Sequence, residues 1–179
     1  VSPVFAGAGR PDFYVATRAH HADIGGITPG SMPPGSRRIE EEGVLFDGFR
    51  LARGGELLEA EVRAALAAAR WPARNPEQNI ADLAAQLAAN ARGRDEIGRL
   101  VEADGLEVVR AYMGHVQDNA EREVRAAIGR LADGRFRYEM DDGAAIEVRV
   151  AVDRRRGSAR VDFAGTSAQS PGNFNAPLA

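Results

Sequence analysis

Two adjacent histidines and an aspartate, His20, His21 and Asp23, stand directly before a Gly25-Gly26 step in a chain that holds only three histidines. Imidazole and carboxylate together suit Zn²⁺ or Mn²⁺, and a catalytic ion of that kind takes about three protein ligands and keeps a position for water. In an extended segment neighbouring side chains point to opposite faces, so His21 and Asp23 can share an ion, whereas His20 joins them only if the backbone leaves β geometry. The two glycines make that departure, and a close approach by ion or substrate, sterically possible. The alternative is a polar strand end with one histidine exposed and the other hydrogen-bonded to Asp23.

Other groups invite a chemical reading. Ser31 lies in a glycine-rich loop but lacks the pattern of a nucleophile elbow, so a loop that shapes a pocket is its expected role. Glu40, Glu41 and Glu42 read as a solvated run or the first turn of a helix. His115 sits at the edge of an apolar helical stripe, where a structural role is expected. Asn173 and Asn175 in "SPGNFNAP" are candidates for bonding a substrate carbonyl or amide, although Asn in such loops ordinarily stabilises turns. Neither Walker A nor G-x-G-x-x-G spacing is present, so no nucleotide site is expected in this chain.

The elements that must position these groups follow from periodicity. Residues 12–20 alternate and are rich in β-formers, with Phe13, Val15 and Thr17 on one side, giving a strand that delivers the histidines at its end. Residues 23–36 carry four glycines and three prolines, which makes a stiffened loop. A strand-like piece is expected at 44–51, broken at Asp47-Gly48, and then a helix at 56–70 stopped by Trp71-Pro72. Asn75 as N-cap, Pro76 at the first helical position and Gly93 past the end frame a helix with Ile80, Leu83 and Leu87 along one stripe. A short helix at 95–103 precedes one long helix that runs to Asp133-Gly134, its expected buried face being Val109, Met113, Val116, Val124, Ile128 and Leu131. Strands around 135–140, 144–152 and 159–165 then form a hairpin or meander with one buried face. The fold class is α+β: a strand and Gly/Pro-rich loop, central helices including one long helix, and a closing β-hairpin or meander.

With 179 residues, a net charge of −3 and a pI of about 5.7, the chain is expected to form a single unit across 1–179 and to bind neither nucleic acid nor an anionic membrane. Lysine and cysteine are both absent. That excludes thiolate ligands and fits a reducing compartment, so cytoplasm is the expected location. No apolar run approaches the roughly 20 residues of a membrane span. Both ends read as cut from a longer polypeptide.

"ATRAHHADIGGITPGSMPPGS", "NPEQNIADLAAQLAAN", "YMGHVQDNAE" and "DFAGTSAQSPGNFNAP", in that order, resemble the hydantoinase B/5-oxoprolinase family, which includes the β subunit of N-methylhydantoinase. The resemblance implies ATP-dependent opening of a cyclic amide, a hydantoin or 5-oxoproline. An A-type subunit or domain would bind the ATP, and an oligomer is expected. It also implies a divalent metal, Zn or Mn, in the full-length protein, with His20, His21 and Asp23 as part of its site and further ligands upstream of Val1. Catalytic residues are not assigned, and the chain is implied to be a truncated piece of a longer hydantoinase B domain, inactive by itself. A scaffold for the ATP-binding subunit and a ketone carboxylase subunit are the competing readings.

Overall fold

A computed structural model describes residues 1–7 and 9–176, and these pack as two compact units, one made of 1–105 with 170–176 and the other of 106–169. The sequence reads as a single unit; the division falls at Gly105, which closes a helix at φ +85 with its N–H on the Val101 carbonyl. No helix among the described residues is long and apolar enough to cross a membrane.

In the first unit, β1 (Ser2–Val4) and β2 (Phe13–Val15) form an antiparallel hairpin that pairs Val4 with Phe13, both buried. Strand pairing ends at Val15, five residues before His20, so the histidines lie outside regular β structure. The expected alternation holds: Phe13 is buried and Val15 and Thr17 half-buried, whereas Tyr14, Ala16 and Arg18 are exposed. The glycine/proline segment is loop, as composition requires, and runs into the single turn α1 (Ile39–Glu42). The Glu41 carboxylate accepts the N–H groups of Arg37 and Arg38 there, which holds it below its ordinary pKa. The strand expected at 44–51 does not form. Val44, Phe46, Phe49 and Leu51 instead lay their side chains against the core, and the hairpin is made one step later by β2's successors, β3 (Ala52–Arg53) and β4 (Glu56–Leu57), around Gly54-Gly55.

Helices α2 (Glu59–Ala68) and α3 (Pro76–Asp104) supply the buried cluster Val62, Leu66, Ile80 and Leu83. Asn75 caps α3 through its side chain, which accepts the Gln78 N–H, and Pro76 takes the first turn. Gly93 does not end this helix. α3 continues through it to Asp104 and absorbs the separate helix expected at 95–103. Gly93 serves packing: a Cβ there would lie 2.7 Å from Val15 Cγ1, so its absence lets β2 rest on the helix.

The second unit is α4 (Leu106–Gly129) followed by a three-stranded antiparallel meander, β5 (Gly134–Glu139), β6 (Ala145–Asp153) and β7 (Ser158–Asp162). The register pairs Phe136 with Val148, Tyr138 with Ile146 and Val150 with Val161, which puts these apolar residues on one face. Asp162 pairs with Arg149 on the other, polar face, as its alternation predicts. Arg125 of α4 donates to the carbonyls of Arg156 and Gly157 in the β6–β7 turn. The buried face expected for α4 is not buried. Only Val109 is; Met113, Val116, Val124 and Leu131 are exposed and Ile128 is half-buried, although β6 and β7 meet the helix, where Gly157 lies against Arg125.

Gly93→Val is expected to destabilise the first unit by about 1–3 kcal/mol through overpacking against Val15. Adding Val15→Ala should recover part of that loss in a denaturant melt, and a Gly93→Val midpoint at or above the parent value would contradict the packing role.

Candidate functional site

The loop that carries the histidines is held against the first turns of α3. His21 Nδ1 lies 3.1 Å from Asp82 Oδ2, and the Gln78 side-chain amide donates to Asp82 Oδ1 at 2.8 Å. Asn79, 1% exposed, donates from Nδ2 to the Asp23 backbone carbonyl at 2.8 Å, while its buried Oδ1 has no hydrogen-bond partner among the described residues. Residues 75, 78, 79 and 82 fall three or four apart and so share one side of the helix. "NPEQNIAD" thus presents a polar edge to the histidine segment, while Ile80 and Leu83 turn into the core.

Asp23 organises the loop. Its Oδ1 accepts the N–H groups of Gly25 and Arg74, and its Oδ2 accepts the Gly30 N–H and the Arg74 guanidinium at 2.8 Å. Partial burial alone would raise this carboxyl, but three backbone N–H donors and the guanidinium outweigh it and bring its pKa to about 2. The other end of Arg74 donates to the Gly26 carbonyl at 2.7 Å. Asp23 and Arg74 therefore tie the segment before α3 to both sides of the glycine pair. Asp82 is also held below its ordinary pKa, by the Gln78 amide first and by His21 second. It is ionised at neutral pH, so the His21 ring nitrogen facing it carries the hydrogen.

The glycine pair is required by close approaches of the protein's own backbone. Gly25 (φ +94) would place a Cβ 2.3 Å from the Trp71 carbonyl oxygen, and Gly26 (φ +90) one at 2.6 Å from that of Glu41. The same strand of loop is bonded on both sides, with Gly26 N–H on Trp71 O and Ile27 N–H on Glu41 O. Ser31 is a staple as well: its Oγ accepts the Ile24 N–H at 2.7 Å and donates to the Gly25 carbonyl at 2.6 Å, and its backbone sits at φ +53. No basic side chain addresses its hydroxyl among the hydrogen bonds it makes.

Of the residues singled out by sequence, His21, Asp23, Gly25, Gly26 and Ser31 are brought together in this loop. His20 is exposed at its edge. Asn173 donates to the Pro33 carbonyl from the far end of the chain, and so touches the 23–36 loop, while Asn175 closes its own turn on Ser170 and Gly172. His115 is on exposed α4, edge-on to Tyr112 at 5.8 Å. The sequence marks Arg74, Asn79 and Asp82 only weakly, through the polar spacing opposite the apolar stripe of α3. Among the described residues no group of three or more His, Cys, Asp and Glu is arranged to hold a metal ion.

The hydantoinase B/oxoprolinase model matches residues 1–179, and the chain belongs to that family. It is similar to 5-oxoprolinase of Dictyostelium discoideum, 41% identical over 99% of this chain and 14% of that one, and to 5-oxoprolinase of Saccharomyces cerevisiae, 35% identical over 100% of this chain and 15% of that one. Among solved structures it resembles the ATP-dependent caprolactamase of Pseudomonas jessenii, with a TM-score of 0.67 and 25% identity over 87% of this chain and 27% of that one. The chain thus spans about one seventh of the length of these oxoprolinases.

Gly26→Ala is expected to cost about 1–3 kcal/mol from the left-handed backbone alone, with the carbonyl clash added, and to be read as a lowered unfolding midpoint. Asp23 is more acidic folded than unfolded, so its contribution is complete above pH 4 and is lost as pH falls from about 4 to about 2. By the size of the shift it amounts to about 2 kcal/mol. Urea melts of the parent and Asp23→Asn between pH 2 and 6 should converge at the acid end, and curves that stay parallel would contradict the clamp.

Proposed function

We propose that this chain is the metal-binding part of an ATP-dependent hydrolase that opens small cyclic amides, working with an A-type subunit or domain that binds the ATP. Family membership, the 5-oxoprolinase relatives and the likeness to a caprolactamase support the reaction class. The reaction adds one water across the ring C–N bond, oxygen to the carbonyl carbon and hydrogen to the nitrogen.

The observation that carries the reading is the His21–Asp82 contact. In a neutral ring, a carboxylate on one imidazole nitrogen fixes the tautomer and leaves the other nitrogen, Nε2, with its lone pair free, the usual arrangement behind a metal-ligating histidine. His21 through Nε2 and exposed His20, freed from β alternation, are the ligands this chain offers. Asp23, with both oxygens given to N–H donors, acts by holding the backbone that carries them. Two imidazoles are fewer than the roughly three protein ligands of a catalytic ion, so the reading requires further ligands from elsewhere in the hydrolase. A divalent ion there would supply Lewis acidity and a nucleophilic water near neutral pH. Ser31 and Asn173 contribute by keeping the glycine/proline loop in one shape beside it.

In a full-length B subunit carrying this stretch, His21→Ala is expected to abolish bound metal and ATP-dependent hydantoin or 5-oxoproline opening. Asp82→Asn should weaken metal affinity by about 10–100-fold. Unchanged metal content and unchanged turnover in His21→Ala would sink the assignment.

A further inference from the structure

The second unit exposes what a folded unit normally hides. Among residues 106–169 only Val109 and Ala145 are buried, and every residue from 110 to 127 of α4 is exposed. Along that helix Val109, Met113, Val116, Ala120, Val124 and Ala127 recur every three or four residues, an apolar stripe about 27 Å long at 1.5 Å per residue. Val116 is 67% exposed and Val124 57%. Charges keep to the rest of the surface, where Glu107–Arg110 and Glu121–Arg125 pair with each other. The meander repeats the pattern, with Phe136, Tyr138, Ile146 and Val161 exposed on its one apolar face. Soluble proteins seldom leave contiguous apolar surface of this extent open, and charge-free stripes of this kind belong to permanent contacts.

What covers the stripe is indicated by proportion. The chain accounts for 27% of the caprolactamase chain it resembles and 14% of the Dictyostelium oxoprolinase, so most of each relative is polypeptide beyond the matched part. We propose that the α4 stripe is a docking face for another part of a hydantoinase B-type polypeptide, one that presents a complementary apolar strip. The contact completes the core of this unit instead of joining two enzymes. It depends on family membership and stands whether or not the metal reading does.

The test uses this chain and its solved relative. Light scattering of the 179-residue chain is expected to give a 19.1 kDa monomer that binds a hydrophobic dye, with V116E/V124E losing most of the dye signal at unchanged mass. In the caprolactamase, superposed on this chain, residues outside the matched part of the same polypeptide are expected to cover the helix that corresponds to α4. Glutamates at its two positions matching Val116 and Val124 should cost the soluble enzyme, whereas glutamate at the position matching Arg122, on the polar side, should not. A two-chain particle that V116E/V124E splits would overturn the proposal in favour of a second copy. Solvent or a separate subunit over the caprolactamase helix would overturn it as well.

Discussion

One buried amide sets the geometry on which the histidine loop depends. Asn79 sits in the second turn of α3 with almost no exposure and gives its N–H to the backbone carbonyl of Asp23. Burial of that amide nitrogen is offset by the bond it makes, and the bond fixes which part of the loop meets the helix. Asp82 then receives His21 one turn further on, and Arg74, just before the cap, receives the carboxylate of Asp23. Ile24, between these polar anchors, packs on the Val62, Leu66, Ile80 and Leu83 core, so the loop is fastened by apolar and polar contacts together.

The glycines make this density of contacts possible. Gly25 and Gly26 pass between the Trp71 carbonyl on one side and α1 on the other with no room for a side chain. Gly43 is equally tight, since a Cβ there would lie 2.6 Å from the Ile24 side chain. The stiffness expected of this glycine/proline stretch thus comes from close backbone approaches as well as from its prolines, and rigidity of that kind is what holds groups for chemistry.

Local rules made much of this legible. Asn75-Pro76 marked the start of α3, the alternation at 13–17 marked β2, and the meander registered as alternating apolar residues. Gly93 misled, because its purpose is contact with Val15, which only tertiary structure reveals. The stretch at 44–51 misled for the same reason: its apolar residues serve the core without strand pairing. At the site, His21, Asp23 and Ser31 announced themselves by type, but their roles did not. Asp82 is 61 positions from His21 and Arg74 is 51 from Asp23, separations that no local spacing encodes. The apolar periodicity of α4 marks a real stripe, yet the stripe is exposed among the described residues, since periodicity says which face wants a partner and not where the partner is.

Asp82 presents His21 with its Nε2 free. Nitrogen-15 NMR of the histidine rings reads this directly at neutral pH. With Asp82 in place the hydrogen of His21 is expected on Nδ1, and mixed tautomers are expected once Asp82 is replaced by leucine. A His21 ring protonated on Nε2 in the parent chain, or one indifferent to Asp82→Leu, would contradict it.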